Sequence, residues 1–184
     1  YVAEYKSEKG VVLKTILKVL SKPVHFLRSA SIGSFIGILP GAGSPIAAIV
    51  SYNEAVRWSK KKDEFGKGNI HGVTASEIAN NSAAPAAMIP LVTLGVPGSS
   101  PAAVIAGALM LRGLNPGPEL FATDGTLVYS FGWSLFIAGI VVFFIGMLAT
   151  PLLVRIIKIP LRLLAPLIMF LAIIGAYAIR NNIF

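Results

Sequence analysis

Residues 29–53, 78–111, 125–154 and 163–179 contain no Asp, Glu, Lys or Arg. A bilayer crossing takes about 20 apolar residues. The third stretch is long enough by itself, and the fourth is at the short limit. The first two suffice only when counted through an interruption. Those interruptions nearly repeat each other: Leu39-Pro40-Gly41-Ala42-Gly43-Ser44-Pro45 and Gly95-Val96-Pro97-Gly98-Ser99-Ser100-Pro101. Serine is a favoured N-cap and proline a favoured first helical residue. Each string therefore predicts a helix end, a glycine-rich break and a new helix from Ser44-Pro45 or Ser100-Pro101. In lipid such a break leaves backbone groups unsatisfied. It is tolerated only where protein buries it or where it lines a polar cavity. Paired interruptions in apolar segments point to a transporter's binding site. The structural alternative is a pair of Pro-Gly kinks that let helices pack closely.

Hydrophobic residues make up 55% of the chain and charged residues 13%, which favours membrane helices over buried helices of a soluble domain. The expected fold class is an all-α membrane protein with a re-entrant helical hairpin, a discontinuous transmembrane helix and further transmembrane helices. The net charge of +8 would suit a nucleic-acid partner, but the basic residues flank apolar stretches, as the positive-inside rule requires. No nucleic-acid partner is expected. The absence of cysteine excludes disulfides and thiolate metal sites and leaves the redox compartment open. His25 and His71 are far apart in sequence, so no metal site is expected. The chain begins at Tyr1 with no recognisable signal peptide and ends at Phe184 after an apolar span. It is expected to be a piece of a longer protein.

Residues 1–184 are expected to form one membrane unit. Residues 1–28 are a basic interfacial segment, with Lys14, Lys18 and Lys22 along one side of an apolar helix that Pro23 ends. Arg28 precedes the first uncharged stretch, and Arg57, Lys60, Lys61, Lys62 and Lys67 follow it. Both flanks should then be cytoplasmic, which requires an even number of crossings. From Ser29 to Leu39 a helix rises about 16 Å, half of an apolar core about 30 Å thick. Residues 29–58 therefore read as a re-entrant hairpin with its tip at Pro40–Gly43. A single straight crossing over residues 32–50 is the alternative. Residues 59–76 read as a polar cytoplasmic loop. The loop 115–125 carries Glu119 and Asp124 without Lys or Arg, and so reads as the outer side. Residues 77–114 then form one broken helix, interrupted at Gly95–Ser100 and bent by Pro85 and Pro90. Residues 126–150 cross back. Arg155, Lys158 and Arg162, bracketed by Pro151 and Pro160, mark the cytoplasmic return before residues 163–180 cross outward. Phe131, Trp133, Phe136, Phe143 and Phe144 are expected to face lipid or pack, and no cofactor is expected.

In this topology both new helices start near mid-membrane. A helix N-terminus carries about half a positive charge and unpaired N–H groups. Two of them converging would hold an anion without Lys or Arg. Ser44, Ser99 and Ser100 add hydroxyl donors. Gly41, Gly43 and Gly98 permit close backbone approach, and Pro97 shapes the second elbow. The helix ends at Leu39, Thr93 and Leu94 present carbonyls that suit a cation. The coupling ion is expected to be sodium, with a proton as the alternative. Glu77 reads as a capping or solvated residue. With no Ser/His pairing, metal-ligand cluster or acidic dyad in the uncharged stretches, the chain is not expected to be an enzyme.

GILPGAGSPIAA (37–48), FGKG (65–68), ASEIANNSA (75–83), IPLVTLGVPGSSPAAV (89–104), GLNPGP (113–118) and GAYAIRNNIF (175–184) together resemble the large permease subunit of the tripartite tricarboxylate transporters. The likeness covers most of the chain beyond about residue 23. It implies uptake of di- and tricarboxylates such as citrate across a bacterial inner membrane. It also implies a small membrane subunit and a periplasmic solute-binding protein as partners. Only part of that subunit's second half is represented, so half of the expected site lies outside this chain, which is not expected to transport alone. Asn80 and Asn81 match the family's paired asparagines and join the expected substrate-binding set. A straight helix would put Asn81 about 21 Å from Gly95, near the cytoplasmic face. Bends at Pro85 and Pro90 would bring the pair deeper. A channel lined by the same breaks and a structural subunit that anchors partners are the alternatives to a permease.

Overall fold

The computed structural model describes residues 11–157 and 161–180. Residues 1–10 of the interfacial segment, Lys158, Pro160 and the closing residues 181–184 lie outside the described residues. All regular structure among those described is helical: α1 Val11–Leu20, α2 Pro23–Ile38, α3 Gly43–Trp58, α4 Ile70–Ala86, α5 Met88–Leu94, α6 Ser100–Leu111, α7 Pro118–Ile157 and α8 Leu161–Arg180, with a short 3-10 turn at Lys62–Glu64. The helices fall into two compact units, one from Glu8 to Leu135 and one that takes in α7 from Phe136 together with α8.

In the first unit α2 and α3 form a helical hairpin joined at Leu39–Ala42, and both pack on α4. The packing follows small residues spaced four apart. Ser29, Gly33 and Gly37 are the buried positions of α2. Ala47, Ser51 and Ala55 are those of α3. On α4, Ala75, Ala79 and Ala83 meet them. The approach is backbone to backbone: a Cβ added at Gly37 would lie 2.8 Å from the Ala83 Cα. Ser51 uses the same closeness to donate to the Ala75 carbonyl at 2.9 Å. Such small-residue stripes are how helices associate where lipid removes the hydrophobic drive between them. A second cluster of Met88, Leu91, Ala102 and Ala106 joins α5 to α6, and Phe131 and Leu135 of α7 pack on it.

Several boundaries differ from the sequence reading. α2 starts at Pro23, in the favoured first helical position. The polar loop gives way to helix at Ile70 rather than near Glu77, because the Asn69 side chain caps α4 by accepting from the His71 N–H at 2.8 Å. The loop before α7 ends at Pro118, and Asp124 is a kink inside the helix (φ −136°, ψ 49°). The bend near Pro85 and Pro90 falls at Ala87, between α4 and α5.

Ala122–Thr150 is the one helix among the described residues long and apolar enough to cross a membrane, and the apolar runs Ser100–Leu111 and Arg162–Gly175 are shorter. The second unit exposes its apolar side chains, for example Leu148, Phe144, Ile168 and Phe170. Water does not favour that much contiguous apolar surface, and a lipid environment does.

Candidate functional site

The hairpin tip is built by two glycines. Gly41 has φ +78° and Gly43 φ +68°, a left-handed backbone that only glycine adopts readily. The tip closes with Leu39 N–H donating to the Ile36 carbonyl at 3.1 Å and Ala42 N–H donating to the Leu39 carbonyl at 3.2 Å. α3 then starts with no side-chain cap. Ser44 therefore lies in its first turn and does not cap it, contrary to the Ser-Pro restart rule.

The second break obeys the same logic with different residues. α5 ends at Gly95 (φ +73°). The Gly95 and Val96 N–H groups donate to the carbonyls of Leu91 and Pro90 at 3.0 and 3.2 Å. A Cβ at Gly95 would come within 2.6 Å of the Pro116 carbonyl oxygen, so the loop after α6 packs on this elbow. Ser99, one residue earlier than expected, caps α6 by accepting from the Ala102 N–H at 3.3 Å. Pro101 follows within the first turn.

Both restarts open onto one cleft of about 750 Å³. Its walls are Gly41, Ala42, Gly43, Ser44 and Pro45 from the tip, Pro97, Ser99, Ser100, Pro101 and Ala103 from the second break, and Asn80, Ala84 and Met88 from α4 and α5. No Asp, Glu, Lys, Arg or His lines it. Its lining carries three serines and one asparagine, and the starts of α3 and α6 border it. Ser44, Asn80 and Ser100 make no side-chain hydrogen bond among the described residues, so their donors are available to a ligand. The volume is within the usual range for a small-molecule site.

The expected set divides on this geometry. Gly41, Gly43, Ser44, Asn80, Pro97, Ser99 and Ser100 come together. Asn81 does not join them. It is exposed and donates to the Glu77 carbonyl at 2.8 Å. Gly98 is buried, and its close approach is to Ala87, whose Cα would be 3.0 Å from an added Cβ. Leu39, Thr93 and Leu94 are absent from the lining as well. The Leu39 carbonyl is taken by Ala42, and the Thr93 hydroxyl donates to the Ile89 carbonyl at 2.7 Å. Ala84 and Met88 were not anticipated. Asn80 and Ala84 are four apart on α4, one face of a helix, and that spacing was the available signal for Ala84.

A different polar cluster lies at the open end of the hairpin. Lys22 Nζ is 2.8 Å from His71 Nε2. Lysine can only donate, so that nitrogen accepts and His71 is neutral. His25 Nε2 is 3.2 Å from the Thr74 hydroxyl, and the two imidazoles meet edge to face at 5.3 Å. Burial holds His25 below its ordinary value of 6.5, and Arg28 and Lys22 add to the effect. Burial lowers His71 too, helped by Lys22, His25 and Lys18. A group with a depressed folded pKa binds its proton later in the folded chain than in the unfolded one. Its contribution to stability is then present above about pH 6.5 and is lost as pH falls through the folded value. The melting temperature of the native protein is expected to drop between about pH 7.5 and about pH 5.5, and less so in His25→Asn/His71→Gln. An equal drop in the double variant would contradict the assignment.

A chain whose regular structure is helical throughout the described residues, with large exposed apolar surface, fits the class of all-α membrane proteins. The chain is a member of the Tripartite tricarboxylate transporter TctA family, whose family model matches residues 3–184. That description is of a family of transporter components. Two curated relatives from Agrobacterium vitis support it. An uncharacterized 52.8 kDa protein of the TAR-I ttuC' 3' region is 38% identical over 97% of this chain and 37% of its own length. An uncharacterized protein of the TAR-II ttuC' 3' region is 40% identical over 83% of this chain and 63% of its own length. The chain thus spans less than two thirds of either relative. No solved structure matches it.

Proposed function

We propose that this chain is the part of a permease that binds the carboxylate groups of a di- or tricarboxylate, held in the cleft between the starts of α3 and α6. One observation carries the reading: the tip Gly41–Ser44 and the restart Ser99–Ser100 line the same uncharged cleft. Amides at a helix start attract carboxylate without a cationic side chain. A site free of Lys and Arg can also release its ligand, which a cycling transporter requires. Asn80 and the serine hydroxyls supply directional donors that distinguish a carboxylate from a spherical anion.

On this reading the hairpin is re-entrant, with its tip near mid-membrane and its basic ends on the cytoplasmic side of a bacterial inner membrane. The full-length protein would be multi-pass and would work by alternating access around the cleft. Its partners would be a small membrane subunit and a periplasmic solute-binding protein that delivers the substrate. The inward gradient of a cation, sodium or a proton, would drive uptake. Labelled citrate uptake by the full-length protein with those partners, in sodium and in potassium buffers of equal pH, tests this. Uptake that needs the binding protein and falls at least tenfold without sodium supports sodium symport. Loss on collapsing the proton gradient instead assigns the proton. Flux that needs neither gradient nor binding protein would replace the permease with a channel.

A further inference from the structure

The cluster at the open end of the hairpin lines a cleft of its own, about 460 Å³, formed by the start of α2, the end of α3, Phe65 and His71. Its nitrogen-bearing side chains are Lys22, His25, Arg28, Trp58, Lys60 and His71, and no carboxylate lines it. Two carboxylates outside the lining bond to side chains around it. Glu54 accepts from Trp58 Nε1 at 2.9 Å and from Arg57 at 3.3 Å. Glu64 accepts from Lys61 at 2.8 Å and Asn69 at 3.3 Å. Glu54 acts on Arg28 and Glu64 on His71 from outside the cleft, but the side chains that line it carry positive charge alone. Both imidazoles are neutral near pH 7 by the lowering described above, so the positive charge comes from Lys22, Arg28 and Lys60.

The geometry prepares these groups to bind rather than merely to repel one another. Arg28 stacks on the Trp58 ring, its Cζ 4.8 Å from the centroid. The contact holds the guanidinium beside the ring, and its planar fork of donors suits a phosphate. Lys22 is positioned by His71 and keeps further protons for a ligand. Lys60 makes no ion pair among the described residues.

The rim of the cleft is apolar and uncovered. Val24 and Trp58, which line it, are 68% and 65% exposed, and the neighbouring Leu20 and Leu27 are 58% and 62% exposed. A free phosphate ion has no use for such a rim. A phospholipid does: its phosphate meets the basic groups while its acyl chains lie along the leucines. We propose that this cleft is a site for the headgroup of an anionic phospholipid. Its position at the basic end of the hairpin, on the orientation proposed above, matches the leaflet that carries anionic lipid. Occupancy would tie the starts of α2 and α4 to the end of α3 at the membrane surface, at the opposite end of the hairpin from the uncharged cleft.

Native mass spectrometry of the delipidated full-length protein tests this. It would be titrated separately with phosphatidylglycerol, with phosphatidylcholine and with inorganic phosphate. Phosphatidylglycerol is expected to bind well ahead of phosphatidylcholine, and Lys22→Gln/Arg28→Gln to weaken it about 25-fold, about fivefold per removed charge. Arg28 also lies over Trp58, so Lys60→Gln, at an exposed residue with no ion pair among the described residues, should by itself weaken binding about fivefold. Equal binding of the two lipids, or unchanged affinity in Lys60→Gln, would overturn the proposal. Inorganic phosphate displacing the lipid at similar concentration would assign the cleft to a free phosphate instead.

Discussion

Gly33→Leu is expected to detach the hairpin from α4 and to abolish a folded first unit, a loss of about 3–5 kcal/mol, at or beyond the top of the overpacking range. The reason is geometric. A Cβ added at Gly33 would lie 2.6 Å from the Ala79 Cα and 2.8 Å from its carbonyl carbon. These are backbone atoms, so no rotamer change relieves them. The helices must separate, and separation empties the interface along its whole length. Gly37 against Ala83 and the Ser51 bond to the Ala75 carbonyl lie along the same α4 face. In lipid there is no hydrophobic drive to hold displaced helices near each other. Gly33→Ala should already destabilise, since the clash begins at Cβ. Gly107→Leu in α6, where an added Cβ meets nothing within 4 Å, should leave the melting temperature unchanged. Melting of the purified full-length protein in detergent reads all three. A midpoint for Gly33→Leu equal to that of the parent would show that the backbone contact between α2 and α4 is not what holds the hairpin.

The break between α2 and α3 was legible because Pro40 and Gly41 disfavour a continuous helix, while the sequence left a straight crossing open as the alternative to a hairpin. The second elbow was legible for the same reason. Which serine capped each restart was not legible. Adjacent serines differ in capping energy by less than the roughly 1 kcal/mol a cap is worth, so packing decided in favour of Ser99 and left Ser44 uncapping. The early start of α4 was legible in part, through Asn69 followed by Ile70. Its polar setting and the glycines around it masked the cap. The stripe Ser29-Gly33-Gly37 also had a signal, four-residue spacing of small side chains, which the absence of charge in that stretch hid. Asn80 and Asn81 were harder. Neighbours on a helix point about 100° apart, and the packing of α4 puts Asn80 in the lining of the cleft and leaves Asn81 out of it. The small-residue packing and the elbows are local chemistry, whereas the convergence of the two restarts is a product of tertiary packing that no window of the sequence displays.

Ser99→Asp is expected to abolish carboxylate uptake while leaving the fold intact, and it separates binding from capping at one position. Aspartate caps a helix as well as serine does, so it can accept from the Ala102 N–H that Ser99 now serves. The start of α6, and its packing through Ala102 and Ala106, should survive. What changes is the field in the cleft. A carboxylate about 4 Å from a bound carboxylate costs about 4 kcal/mol at the effective dielectric of a partly buried site, about a thousandfold in affinity. No Lys or Arg lines the cleft to neutralise it. A di- or tricarboxylate carries more than one charge, which deepens the loss. Ser99→Leu should abolish uptake too, but through lost capping and a filled cleft, with a lower melting temperature as its signature. Ser99→Thr keeps both cap and hydroxyl and should retain most of the uptake. Labelled citrate transport and thermal melting, measured together on the three variants in the full-length protein with its partners, distinguish these effects. If Ser99→Asp transports like the parent, the negative substrate does not sit between the starts of α3 and α6. The shared cleft would then be a packing feature, with the family's transport site elsewhere in the longer protein.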